Sequence, residues 1–176
     1  INRGRLGIGA RKDQIGAHQE HLFHLPAIHG VGPRFFHHRG RLYLGGQMRK
    51  VTLDNGADCW AFGSAQYVKA AVKSVEDYLQ KKGESLPARC KSPLANGYRP
   101  EVDISDELDP EDASYYQSLI GVLRWMVELG RVDICVEVSM MSSHLALPRK
   151  GHLEQLYHIF GYLRSHHNAE MPFDPT

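Results

Sequence analysis

The chain has 176 residues, of which 42% are apolar and 23% charged, and its net charge is +1. That length suits one domain, or a small one with an appendage, and the composition excludes wholesale disorder. No run approaches the roughly 18 apolar residues of a membrane span, and no secretory leader is visible at Ile1, so an intracellular setting, cytoplasmic or nuclear, is expected with no membrane partner.

The small net charge hides a split. Residues 1–50 hold nine Lys/Arg against Asp13 and Glu20, a balance of +7, while residues 51–176 hold twelve against eighteen acids, or −6. Such an asymmetry can mark a basic arm that meets nucleic acid, or two segments of different history. Cys59, Cys90 and Cys135 are odd in number, widely spaced and without a CxxC pair. This argues against a disulfide framework or a zinc ribbon and for small side chains in a reducing compartment.

Residues 1–41 form a basic segment rich in glycine and histidine, in which neither the helical nor the strand period persists; it is expected to be loosely structured. A hairpin region, residues 42–63, follows. Leu42–Leu44 and Lys50–Leu53 read as strands, Asn55-Gly56 as a tight turn, and about Asp58–Phe62 as the return strand. Gly45-Gly46 marks a bulge or a close backbone approach.

The remainder, residues 64–176, reads as mainly helical. Ser64 stands where an N-cap belongs, and Val68, Ala71, Val72, Val75 and Leu79 recur at helical spacing over Ala65–Lys82, with Gly83 just beyond. A connection punctuated by Pro87, Pro93, Pro100 and Pro110 carries seven acids between Glu101 and Asp112. The EF-hand register is absent, so these acids read as a solvated loop that ends by favouring the next helix N-terminus. Three further helices are expected. Ser114–Leu129 bears Tyr116, Leu119, Ile120, Leu123 and Val127; Ile134–Leu145, capped by Asp133, bears Ile134, Val138, Met141 and Leu145. Gly151–Ser165 bears Leu153, Leu156, Ile159, Phe160 and Leu163. The stripes are narrow and the connections short, so the helices must pack as antiparallel neighbours. A last short strand is expected at Met171–Phe173.

Motifs of chemistry are sparse. His18, His21 and His24 recur every third residue, but Pro26 and the glycines oppose a long helix and the H-E-x-x-H register fails. Gly7-Ile8-Gly9 lacks the rest of a nucleotide-binding fingerprint, and no GxSxG elbow occurs. Ser143-His144 and Ser165-His166 are adjacent on helices, where consecutive residues point apart. No catalytic and no metal-ligating residue is assigned. Arg149 and Lys150 at one end of the last helix and Arg164 at the other are the candidate nucleic-acid contacts, by counterion release; a C-terminal cation is also favourable against the helix dipole.

Several strings together resemble the copia-type LTR retrotransposon reverse transcriptases. Tyr116-Gln117-Ser118-Leu119-Ile120-Gly121-Val122-Leu123 is similar to that family's Y-x-x-L-I-G-x-L. Arg131-Val132-Asp133-Ile134 stands where it has R-P-D-I, with Val132 departing from the proline, and Val138–Ser142 where it has A-V-x-x-L-S. Pro148, His152 and Tyr162-Leu163 fit its P-x-x-x-H and R-x-L-x-Y-L. Tyr43-Leu44-Gly45 resembles its Y-L-G strand, and Ser64–Tyr67 its S-Q-x-x-Y helix start. The matches run in order over roughly 42–176.

The resemblance implies an α+β fragment of a polyprotein: a palm-edge β-hairpin followed by a mainly helical, thumb-like bundle that holds an RNA or DNA template–primer duplex. It implies Mg²⁺ in the full-length enzyme, held by palm aspartates that include a Y-x-D-D turn. This chain has no Asp-Asp pair, so no cofactor is expected in it and no polymerase activity. A ribonuclease H would begin after Phe173-Asp174-Pro175 in the remainder of the polyprotein. The alternatives are a domesticated helical module that binds protein, favoured by the acidic balance of residues 51–176, and the product of a pseudogene.

Overall fold

The structure, a computed structural model, describes residues 41–43 and 45–173. The expectations for residues 1–40, the histidine triplet and the Gly7-Ile8-Gly9 pattern among them, lie outside the described residues. The observed fold is α+β: an antiparallel sheet of four strands and four α-helices.

The sheet begins with β1 (Arg41–Tyr43), β2 (Gly46–Thr52) and β3 (Asp58–Gly63), and β4 (Glu170–Phe173) returns from the far end of the chain to pair with β3, giving the order β1-β2-β3-β4. The register sets Lys50 opposite Trp60 and Trp60 opposite Phe173. The β2–β3 connection is not the two-residue turn that Asn55-Gly56 suggested. It spans residues 53–57 and only Gly56 is left-handed (φ +81°), because the Asn55 side chain accepts the Ala57 N–H at 2.9 Å and closes an Asx turn instead. Gly46 answers to the expected close approach: a Cβ there would overlap the Phe62 ring.

Helix α1 (Ala65–Lys81) buries the five expected residues, Val68, Ala71, Val72, Val75 and Leu79. Ser64 occupies the N-cap position, but its hydroxyl caps nothing; it is fully buried, without a hydrogen-bond partner among the described residues. Helix α2 (Pro110–Glu128) starts four residues earlier than expected. Asp109 accepts the Asp112 N–H at 2.8 Å, and Pro110 fills the first helical position, where its missing N–H costs nothing. Its inner face is Tyr116, Leu119, Ile120, Leu123 and Met126, with Met126 taking the place expected of Val127.

Helix α3 (Cys135–Ser142) is shorter than the expected Ile134–Leu145 and follows a 3₁₀ turn, Val132–Ile134. The Asp133 carboxylate is held by Arg131, so it caps no helix. At the other end the Ser142 and Ser143 hydroxyls donate back to the Val138 and Ser139 carbonyls, an arrangement that competes with helix continuation. Helix α4 (Lys150–Ser165) buries Leu153, Leu156, Ile159, Phe160 and Leu163 as expected, together with His152.

All four helices contribute to one apolar core, in which α4 contacts α1 and α2, and α2 also holds α3. None of these stripes is wide enough to stabilise a lone helix, so each depends on burial against the others, worth about 1.5–3 kcal/mol per fully buried large side chain. Substituting Gly46→Ala forces the Phe62 ring to move and is expected to cost about 1–3 kcal/mol, read as a lower urea midpoint with unchanged slope.

Candidate nucleic-acid interface

The three candidate cations occupy the two ends of α4, about 21 Å apart along its axis at 1.5 Å per residue. Each is engaged within the chain. The Arg149 side chain donates to the Ser105 carbonyl at 2.5 Å and lies 3.6 Å from Glu107; Lys150 pairs with Asp106 at 2.8 Å. Arg164 pairs with Glu76 of α1 at 3.2 Å and donates to the Pro87 carbonyl at 3.0 Å. They are brought into structural roles and do not form one basic patch.

The acidic connection explains two of them. Five of its seven acids are exposed, as expected of a solvated loop, and its backbone in addition docks on the N-terminus of α4. The Lys150 N–H donates to the Asp106 carbonyl, and the Gly151 N–H to the Ser105 hydroxyl. The buried His152 ring accepts the Arg149 N–H at Nδ1 (3.1 Å), so Nε2 carries the proton and donates to the Pro100 carbonyl (3.1 Å). Asp103 anchors the loop from within. Its desolvation favours the neutral acid, but donors from Ser105 and Tyr98 outweigh this and bring its carboxyl down to about 2. The Pro148–His152 spacing noted in the sequence is therefore a clamp on this loop.

A second clamp comes from Arg131, whose side chain is 1% exposed. Its Nε and Nη2 meet the Asp133 carboxylate at 2.8 and 2.6 Å, two parallel charge-assisted bonds, and the Tyr162 hydroxyl donates to the same carboxylate at 3.2 Å. Burial alone would raise the Asp133 carboxyl, but the Arg131 fork and then Tyr162 hold it below the usual range. Tyr116 adds a third tie, donating to the Met141 carbonyl at 2.7 Å, and Gln117 a fourth, to the Leu145 carbonyl at 3.0 Å. Among the described residues, no three His, Cys, Asp or Glu side chains converge as a metal site.

The sequence reading missed the outer face of α2. Gln117, Gly121, Arg124 and Trp125 are exposed there, Trp125 by 39%, and span about 12 Å of helix; Glu128 closes the row. Arg124 makes no ion pair among the described residues. Gly121 is the informative member. A Cβ there would meet nothing within 4 Å, whereas one at Gly161 in α4 would strike Cys90 Sγ and the Pro87 carbonyl, each at 2.8 Å, and one at Gly151 in the same helix would overlap the Asp103 carboxylate. Gly161 is thus demanded by packing. Gly121 costs α2 about 1 kcal/mol relative to alanine with no packing return among the described residues. The available signal was the four-residue spacing of Gln117, Gly121 and Trp125, which sits opposite the apolar stripe.

Comparison with known proteins agrees with a mobile-element origin. A stretch of 94 residues is 32% identical to a protein of Saccharomyces cerevisiae named for the transposon Ty5-1. The match covers 51% of this chain and 30% of that protein, so the chain spans less than a third of its relative's length. The chain carries transposon-related sequence. No protein-family profile matches it, and no solved structure matches it.

Two outcomes follow from the clamps. Asp133→Ala strands a buried guanidinium and is expected to cost about 3 kcal/mol, most of which Arg131→Met in the same chain recovers; urea denaturation of the singles and the double checks this. The depressed carboxyls of Asp103 and Asp133 contribute stability that is complete above their unfolded value of about 3.9 and is lost as pH falls through their folded values. Stability therefore drops between about pH 4 and pH 2, and Asp103→Asn makes that drop shallower in denaturant titrations across the window.

Proposed function

We infer that this chain is the part of a copia-type reverse transcriptase that follows the polymerase site, and that it holds the template–primer duplex without catalysing synthesis. The ordered set of family-like motifs and the similarity to a Ty5-1 transposon protein support the origin. The observation that carries the holding role is the outer face of α2, where a helical glycine without any packing reason lies between Gln117 and Trp125.

Such a face suits the shallow groove of a nucleic-acid duplex. The missing Cβ at Gly121 lets the helix backbone approach a sugar–phosphate ridge. Trp125 supplies a flat apolar surface for sugars, Arg124 a cation for phosphate, and the Gln117 side-chain oxygen, whose amide nitrogen is tied to the Leu145 carbonyl, an acceptor for 2′-hydroxyls. This contact reads shape and backbone, not sequence. The acidic balance elsewhere in residues 51–176 leaves the grip modest and strongly salt-dependent. The sequence holds no Asp-Asp pair to bind the two catalytic Mg²⁺ ions, so the purified chain is proposed to lack primer extension.

The binding role is tested by Gly121→Ala. It is expected to raise the thermal midpoint, because helix propensity improves by about 1 kcal/mol, and to weaken binding of an RNA–DNA hybrid in a low-salt anisotropy titration. Tighter or unchanged duplex binding by this stabilised variant contradicts the assignment. Mg²⁺-dependent extension of a primer by the wild-type chain contradicts the inactive reading.

A further inference from the structure

The sheet carries an exposed row that neither the core nor the α2 face uses. Lys50, Trp60 and Phe173 occupy three neighbouring strands on one face, paired in register as Lys50 with Trp60 and Trp60 with Phe173. Trp60 is 48% and Phe173 50% exposed, and Met48, one pair further along the same face of β2, is 37% exposed. The Lys50 ammonium stands 5.6 Å from the Trp60 ring centroid, within cation–π range, and Lys50 has no carboxylate partner among the described residues. On the opposite face Arg49 and Glu170 neutralise one another at 2.6 Å. Asp58, the acid on the Trp60 face of β3, accepts the Thr52 hydroxyl at 2.8 Å near the β2–β3 turn.

We propose that the Lys50–Trp60–Phe173 row is a stacking platform for unpaired bases, and that it takes single-stranded nucleic acid flanking the duplex held on α2. This deepens the proposed function and rests on it. Trp60 and Phe173 sit opposite one another on adjacent strands, whose backbones run about 5 Å apart, so consecutive unstacked bases can each find a ring. The Lys50 ammonium, on the side of Trp60 away from Phe173, meets the phosphate that flanks the base on Trp60. Stacking on aromatic side chains is tolerant of sequence because every base has a π-face, so the platform takes any single strand and discriminates against a duplex, whose bases are already stacked. The acid on this face, Asp58, is tied to the Thr52 hydroxyl at the turn end of the row, while Lys50 lies beside Trp60 at its centre. A protein segment covering the same apolar row is the competing occupant, and it predicts no nucleic-acid dependence on Trp60.

Anisotropy with a labelled oligo(dT) of about twenty nucleotides and with a blunt RNA–DNA hybrid tests this at low salt. Trp60→Ala is expected to weaken oligo(dT) binding by roughly tenfold or more and leave hybrid binding unchanged, with Trp60→Phe restoring most of the loss. Trp125→Ala is expected to do the reverse. Equal thermal midpoints of the Trp60 variants and the wild type show that the fold is kept. Oligo(dT) binding that is absent, or indifferent to Trp60→Ala, while the hybrid still binds overturns the platform alone. Loss of both ligands in the wild type overturns the platform and the duplex-holding reading together.

Discussion

A guanidinium almost wholly withdrawn from water must find a fixed carboxylate, and Arg131 finds Asp133 two residues on. That fork forces the chain between α2 and α3 into a 3₁₀ turn and leaves Asp133 facing the Tyr162 hydroxyl of α4. Three helices therefore meet at one charge pair. The cost of desolvating the Arg131 charge makes such a pair a poor source of net stability, but removing either partner breaks a link between the α2–α3 connection and α4. The Tyr116 bond to the Met141 carbonyl fixes α2 against the far end of α3, so α2 is tied on both sides and its outer face is held in one orientation.

This division of labour sorts the motif residues. Arg131, Asp133, Tyr162, Pro148, His152 and Tyr116 all serve the internal clamps. Gly121, from the same string as Tyr116, faces solvent, and the exposed Gln117 lies at the edge between the inner and outer faces, with its amide N–H donated to the Leu145 carbonyl. One short helical sequence thus carries both an internal tie and an external surface, because residues four apart share a face and the intervening ones do not. Arg149, Lys150 and Arg164, the candidate phosphate contacts, each also hold a loop or a neighbouring helix through partly exposed bonds.

Burial periodicity was legible in the sequence, since the inner faces of α1 and α4 were readable residue by residue from spacing alone. Boundaries were less so. The start of α2 was misplaced although Asp109-Pro110 states it, and the α3 cap was misassigned because a carboxylate can serve a helix N-terminus or a buried arginine, and only packing decides which. The acidic connection read as solvated because acids are usually so; its docking on α4 depends on Asp103 turning inward between the exposed Val102 and Ile104, which no local pattern encodes. The α2 outer face went unread for a related reason. An exposed helical glycine looks like a mild defect until the structure shows open space above it.

The central claim is that the outer face of α2 lies against a nucleic-acid duplex. Backbone amide chemical shifts of the isotope-labelled chain, recorded while an RNA–DNA hybrid is added at low salt, test it most directly. The largest shifts are expected on Gln117, Gly121, Arg124 and Trp125, and they are expected to collapse as salt is raised. Shifts centred on Arg149, Lys150 or Arg164 with α2 silent, or no shift at any residue, would contradict it.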